Sequence, residues 1–236
     1  MRKPSLYPLT DDMGNDYFQF RQFTVHQGRC AMKVGTDGTL LGAWARGGRR
    51  ILDIGTGTGL IALMMAQRYS ESLVVGVEID GAAAEQARQN AEASPFAERI
   101  EIVHGDIAGC TGEYDAVVCN PPYFGQSLHS PDSRRTLARH DATLTYAALL
   151  RHARRLMSDD AELSVVIPAD SIGRMESEAA LAGMFKSREC KVCTTATKAP
   201  KRCLMAFTLH PATLERTMLT LGSEQYRQLV ADFYIR

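Results

Sequence analysis

An α/β fold built on a mostly parallel sheet is what this sequence predicts. Three observations carry that expectation. Strand-like and helix-like stretches alternate from Arg50 onward, the strand-like stretches are rich in Val and Ile, and a glycine-rich turn follows the first of them. A chain of 236 residues with 45% hydrophobic and 23% charged residues can bury one large core with small additions.

The elements follow in order. "YFQFRQFTVHQ" brings aromatic and β-branched residues close to alternation, which predicts an N-terminal strand or hairpin. "TDGTLLGAWA", Thr36 to Ala45, reads as a helix capped by Thr36 or Asp37. "RILDIG" is then a short strand and "GLIALMMAQRY" a helix; "LVVGVEID" is a strand and "GAAAEQARQNAEA" a helix of strong formers. "RIEIVHGD" and "YDAVVCN" are strands, "TYAALLRHARRLM" is a helix and "AELSVVIP" is a buried strand. "KVCTTATKAPKRCLMAFTLH" holds two strand-like runs around "TKAPKR", a hairpin that makes the last strands antiparallel. "SEQYRQLVADFYI" closes as an amphipathic helix with Tyr226, Leu229, Val230 and Phe233 on one face.

Several function classes fall away. No apolar run approaches the roughly 20 residues that span a bilayer. The start, "MRKPSLYPLTDD", lacks the apolar core of a signal peptide, so a cytoplasmic protein is expected. Six cysteines without such a leader predict reduced thiols. Cys190 and Cys193 have CxxC spacing but no second pair and no nearby ligand histidine, so structural thiols and no metal are expected. The zero net charge conceals a pattern of 8 basic against 4 acidic groups in residues 1–50, 3 against 12 in 51–133, and 13 against 8 in 134–202. Basic flanks around an acidic middle suit a polyanionic partner, and they equally suit ordinary solvated surface.

The chemistry concentrates at strand ends. In an open parallel sheet, ligands lie beyond the carboxyl ends of the strands. The first turn is Asp53-Ile-Gly55-Thr-Gly57-Thr-Gly59, its glycines at every second residue rather than in the GxGxxG spacing of dinucleotide sites. Glu78 ends the next strand, where a ribose diol needs an acceptor, and Gly105-Asp106 ends the third, offering a carboxylate to an adenine amino group. Each carboxylate alone is as readily a helix start or a solvated strand end; three at successive strand ends are harder to attribute to chance.

Together "DIGTGTG", "VEID" and "HGD" resemble the class I S-adenosylmethionine-dependent methyltransferases. The resemblance implies a Rossmann-like sandwich with a mostly parallel seven-stranded sheet, an antiparallel last strand, helices on both faces and a short N-terminal hairpin and helix extension. It implies S-adenosylmethionine as cofactor, S-adenosylhomocysteine as product and no metal. The glycines Gly55, Gly57 and Gly59, with Asp53, then approach the methionine portion, Glu78 the ribose, and Asp106 with Ile107 the adenine. A single domain over residues 1–236 is expected, with 1–49 contributing to the cleft and 50–236 forming the core.

The fourth strand ends in Asn120-Pro121-Pro122-Tyr123. An Asn side-chain oxygen and a carbonyl stiffened by two prolines can both accept from one NH2 group, and a Tyr ring can stack a planar base. A plain post-strand turn is the bland alternative. In the family, Asn-Pro-Pro-Tyr marks transfer to a planar nitrogen: adenine N6, guanine N2 or glutamine N5. Asn120 also borders the cofactor.

"FRQFTVHQGRCAMKVGTDGTLLGAWA", "RRTLARHD" and "TKAPKRCLMAF" further resemble the bacterial tRNA (adenine-N6)-methyltransferases, from about Phe18 to the C-terminal helix. That resemblance implies adenine 37 of tRNA1(Val), in the anticodon stem-loop, as substrate. It implies that "KVGTDG", with Lys33, Thr36 and Asp37, closes over the cofactor. Arg134, Arg135, Arg139 and His140 after the catalytic loop, and Lys198, Lys201 and Arg202 on the hairpin turn, are expected to meet RNA phosphates. Arg151, Arg154 and Arg155 read as a solvated helix face. The alternatives are an rRNA base methyltransferase, a protein glutamine methyltransferase, and a non-catalytic RNA-binding protein on the same fold.

Overall fold

The computed structural model describes residues 16–30, 32–122 and 144–235. A two-stranded antiparallel hairpin, β1 (Tyr17–Gln19) and β2 (Thr24–His26), leads into helix α1 (Thr36–Trp44). The alternating series follows: β3 (Arg50–Ile54), α2 (Leu60–Arg68), β4 (Leu73–Glu78), α3 (Gly81–Glu92), β5 (Ile100–His104) and β6 (Tyr114–Cys119). The remainder is α4 (Tyr146–Leu156), β7 (Met157–Pro168), α5 (Ile172–Leu181), β8 (Phe185–Cys193), β9 (Arg202–Thr208), β10 (Glu215–Thr220) and α6 (Glu224–Leu229).

Among the described residues one sheet runs in the order β10-β8-β9-β7-β6-β3-β4-β5. All neighbours pair in parallel except around β9, which is antiparallel to both β7 and β8. The expected hairpin is therefore β8–β9. An eighth strand, β10, joins the expected seven at the edge, parallel to β8. Its periodicity is weak because four of its six residues are exposed, as edge strands permit.

Alternate side chains of the strands feed two cores. One packs Ile51, Val118, Val166 and Leu204 against α1, α2, the N-terminal hairpin and the C-terminal residues; the other packs Leu52, Val117, Val165 and Met205 against α4 and α5. β7 is buried from Ala161 to Ile167, which explains its unbroken apolar run. The extension is built in: Phe20 and Phe23 stack at 4.8 Å, Phe20 also stacks on Tyr234, and the Arg21 amide donates to the Phe233 carbonyl at 2.8 Å.

Two local expectations change. Helix α1 takes Gly35, not Thr36 or Asp37, as its N-cap, so both residues are already helical. The final helix stops at Leu229, after which Val230 and Phe233 are buried from turns. Cys190 and Cys193 sit three apart in β8, so the pleat sends them to opposite faces of the sheet; both are buried and free. Among the described residues no group of three or more His, Cys, Asp or Glu is gathered as for a metal, and no helix is long and apolar enough to cross a membrane.

The C-terminal end of α1 is fixed by charge. Arg188 of β8 donates through Nε to Glu162 of β7 at 3.1 Å and pairs through Nη2 with the other carboxylate oxygen, and its guanidinium lies 3.9 Å from the Trp44 ring centroid. Arg46, just past the helix, reaches Glu162 at 3.7 Å and Glu215 of β10 at 3.2 Å. Glu162 is buried, so removing it strands a cation. Glu162→Ala should cost about 3–5 kcal/mol in urea unfolding, and adding Arg188→Met should recover much of that loss.

Candidate active site

The site grows from the carboxyl ends of β3, β4, β5 and β6. Register aligns Ile54 with both Val77 and Cys119, and Glu78 with His104, so the residues that follow these strands share one edge. The turn after β3 has Gly55, Gly57 and Gly59 at φ 68°, 56° and 80°, a left-handed conformation that L side chains resist. Around Gly55 and Gly57 nothing lies within 4 Å of where a Cβ would stand, so their bare backbone faces open space. A ligand can approach it closely.

Asp53 holds this turn from below. It is wholly buried, and its Oδ2 accepts from the Thr56 hydroxyl at 2.6 Å and from the Ala62 amide at 3.1 Å, satisfying a donor in the first turn of α2. Its Oδ1 is buried with no hydrogen-bond donor. Through these bonds the Asp53 carboxylate orders the turn. Gly76 of β4 makes the arrangement possible, because a Cβ there would stand 2.9 Å from Thr56 Oγ1.

Glu78 joins the turn to β4. One carboxylate oxygen accepts from the Gly57 amide at 2.9 Å and the other from the Asp80 amide at 2.9 Å. Asp80 in turn caps α3. Each Glu78 oxygen keeps lone pairs for a diol. Beside Glu78, Ile79 is 56% exposed, an apolar side chain just past the end of β4 that the sequence reading passed over. The Cys30 thiol is pushed up to about 11, chiefly by burial and then by the Glu78 and Asp80 carboxylates, so it is neutral near that acid.

Asp106 is exposed and caps a short turn at Ile107–Gly109, its Oδ1 accepting from the Ala108 amide at 2.8 Å, while Ile107 is buried beneath it. Arg155 holds that turn from α4, donating to the carbonyls of Cys110 at 2.7 Å, Ile107 at 3.1 Å and Ala108 at 3.3 Å. Arg154 donates to the Gly183 carbonyl at 2.6 Å. Neither is the idle surface cation expected; both anchor carbonyls distant in sequence.

Asn120 follows β6 directly and so stands next to Gly55. Its side-chain oxygen is buried without a hydrogen-bond donor, and Pro121 after it is buried while Pro122 is exposed. Tyr123, Arg134, Arg135, Arg139 and His140 lie outside the described residues.

The turn between β8 and β9 reaches the same edge: the Ala169 amide, just past β7, donates to the Lys201 carbonyl at 3.1 Å. Lys198 and Lys201 are exposed there, and Lys33 is exposed before α1. Arg202 behaves differently. Its Nε is ion-paired with Asp37 Oδ1, and both side chains are largely shielded. Burial raises the Asp37 carboxyl, and the Arg202 guanidinium pulls it back in part. That pair ties the hairpin turn to the N-terminal end of α1. Thr36 sits beside it, half-buried in the first turn of the helix.

A glycine turn and carboxylates at successive strand ends, on a sheet with one antiparallel strand near its edge, define a methyltransferase of the Rossmann-like type. The Methyltransferase small domain family matches residues 38–197. The chain is 44% identical to the tRNA1(Val) (adenine(37)-N6)-methyltransferase of Bacteroides thetaiotaomicron, over 94% of this chain and 99% of that one. With the protein of the same name from Tolumonas auensis it shares 41% identity, over 95% and 99%. It therefore belongs to the Methyltransferase small domain family and, within it, groups with the tRNA1(Val) (adenine(37)-N6)-methyltransferases. Solved structures share the fold: a predicted O-methyltransferase from Agrobacterium tumefaciens has a TM-score of 0.62 at 22% identity, covering 80% of this chain and 90% of its own. TYW2 of Pyrococcus horikoshii, in complex with MeSAdo, gives 0.58 at 13% identity, covering 82% and 72%.

Burial raises the Asp53 carboxyl from 3.8 to about 7, with the Thr56 and Ala62 hydrogen bonds opposing and Glu78 adding. The folded protein then keeps a proton that the unfolded chain releases above pH 4. Stability contributed by protonated Asp53 is full below pH 4 and lost as pH rises through about 7, a change on the order of 4 kcal/mol. Urea unfolding of wild type and Asp53→Asn from pH 4 to 8 should show the wild type losing stability relative to the variant across that window. A constant difference would contradict this.

Proposed function

We propose that this protein methylates the N6 nitrogen of adenine 37 in tRNA1(Val), with S-adenosylmethionine as methyl donor. The observation that carries the chemistry is the buried, donorless side-chain oxygen of Asn120 at the end of β6, adjacent to the glycine turn. A buried acceptor left unpaired is costly, and an NH2 group entering the cleft satisfies it. Relatives named for this reaction, alike over nearly the whole chain, support the substrate.

The residues divide the work. Gly55, Gly57 and Gly59 offer bare backbone to the methionine portion, Glu78 takes the ribose hydroxyls, and Asp106 with Ile107 and the exposed Ile79 takes the adenine. Lys33, Thr36 and Asp37 border the same cleft. When bound, S-adenosylmethionine supplies an electrophilic methyl group. Asn120 Oδ1 and the Pro121 carbonyl accept from the two hydrogens of the target amine, which orients its lone pair and favours a pyramidal nitrogen. Pro122 stiffens that acceptor. Asn120 does not titrate, so the proton leaves to water after transfer. Lys198 and Lys201 give the hairpin turn two exposed cations for phosphates of an anticodon stem-loop, and a base already unstacked in such a loop costs little to extrude. We read residues 1–236 as one domain, residues 1–49 completing the cleft of the 50–236 core, and a tRNA substrate fits a cytoplasmic location.

The test is transfer of label from radioactive S-adenosylmethionine to tRNA from a strain lacking this gene, followed by nucleoside analysis. Label in N6-methyladenosine is expected; label on glutamine of a release factor instead, or none in tRNA, would overturn the substrate. Asn120→Ala should lower kcat by about 100-fold or more, in the range for loss of one oriented polar contact, while S-adenosylhomocysteine affinity stays within a few-fold. Activity within a few-fold of wild type would remove Asn120 from the chemistry.

A further inference from the structure

We infer that Asn90 and Gln27 are positioning residues that set segment 33–38 against the glycine turn and thereby determine how tightly the methyl donor is held. The inference rests on the methyltransferase reading above. Neither residue belongs to a strand-end motif, and both are polar side chains buried in the protein, at 1% and 7% exposure.

Asn90 lies on α3 and bridges two separate segments. Its Oδ1 accepts from the His26 amide at 2.9 Å, and its Nδ2 donates to the His26 carbonyl at 2.8 Å and to the Thr58 carbonyl at 2.8 Å. Engaging both backbone groups of His26, the side chain does for β2 what a neighbouring strand would do. Thr58 stands between Gly57 and Gly59, so the same amide grips the turn. The next residue continues the connection: Gln27 Oε1 accepts from the Val34 amide at 2.7 Å, and the Gln27 amide donates to the Asp16 carbonyl at 2.8 Å. One path thus runs from Thr58 through Asn90 to His26 by hydrogen bonds, along the chain to Gln27, and by a further hydrogen bond to Val34, one residue before the Gly35 cap of α1; the Thr58 bond is buried and the others are part-buried.

A leucine at position 90 would pack α3 against β2 equally well, but it would leave the carbonyl of Thr58 and both groups of His26 without partners. The amide fixes distance as well as contact, because hydrogen bonds tolerate little stretch. Buried networks in which every member is satisfied specify one arrangement rather than adding bulk stability. Here the specified arrangement is the spacing between the turn and the segment ahead of α1, the two walls of the proposed methionine pocket.

The experiment measures S-adenosylhomocysteine binding by calorimetry and steady-state methylation of tRNA by the full chain. Gln27→Met removes the acceptor while keeping the shape. It should weaken S-adenosylhomocysteine binding and raise KM for S-adenosylmethionine about tenfold, the scale of one lost buried hydrogen bond, with kcat at saturating donor within twofold. Gln27→Glu keeps an acceptor oxygen and should recover most of the affinity. The Val34 amide should exchange with solvent faster in Gln27→Met alone. Asn90→Ala should weaken binding similarly, and the double variant should lose less than the product of the two. Should Asn90→Ala fail to fold, Gln27→Met carries the test. A folded Gln27→Met that binds within twofold of wild type overturns the inference and leaves the methyltransferase reading intact. A wild-type protein that binds no S-adenosylhomocysteine overturns both.

Discussion

The buried Asp53 carboxylate is the contact on which the site is built. From the carboxyl end of β3 it reaches under the glycine turn to accept from the Thr56 hydroxyl and from the Ala62 amide in α2. Those two bonds fix where the helix begins relative to the strand, and so where the bare backbone of Gly55 and Gly57 points. Glu78 then meets the Gly57 amide from the neighbouring strand. Gly76 is the reciprocal concession, since any side chain there would push Thr56 away. The cost is a carboxylate kept from water, which burial drives toward protonation.

Around that centre, contacts distant in sequence hold each wall. Asp37 pairs with Arg202 at one end of α1, while Trp44 and Arg46 engage Arg188, Glu162 and Glu215 at the other, so the helix is fixed to the antiparallel wing at both ends. Arg155 secures the turn that carries Asp106. Asn90 and Gln27 span the gap between the glycine turn and the segment before α1. Asn120 needs less support, because the parallel register with β3 and β7 delivers it to the edge.

What the sequence made legible were features with local grammar. Alternating strands and helices, alternate-residue glycines and acids at strand ends are short-range patterns; they lead to the right fold, in which the glycines and acids share one edge of the sheet. The weaker points had no local signal. β10 is a half-polar edge strand whose pairing with β8 follows from topology alone. Arg202 and Arg155 look in sequence like any surface cations; only the fold shows that one meets Asp37 and the other three carbonyls. Asn90 stands in a run of alanines and polar residues, where an Asn ordinarily faces solvent. Asp53 was legible as part of the glycine turn, but its burial, and hence its hold on that turn, depends on the packing of α2.

The most direct measurement is a crystal structure of this protein with S-adenosylhomocysteine and an anticodon stem-loop. The expected complex has an extruded adenine whose amino nitrogen lies about 3 Å from both Asn120 Oδ1 and the Pro121 carbonyl, with the ribose on Glu78. A base bound elsewhere, or Asn120 Oδ1 paired with a protein donor while the base occupies the cleft, would contradict it.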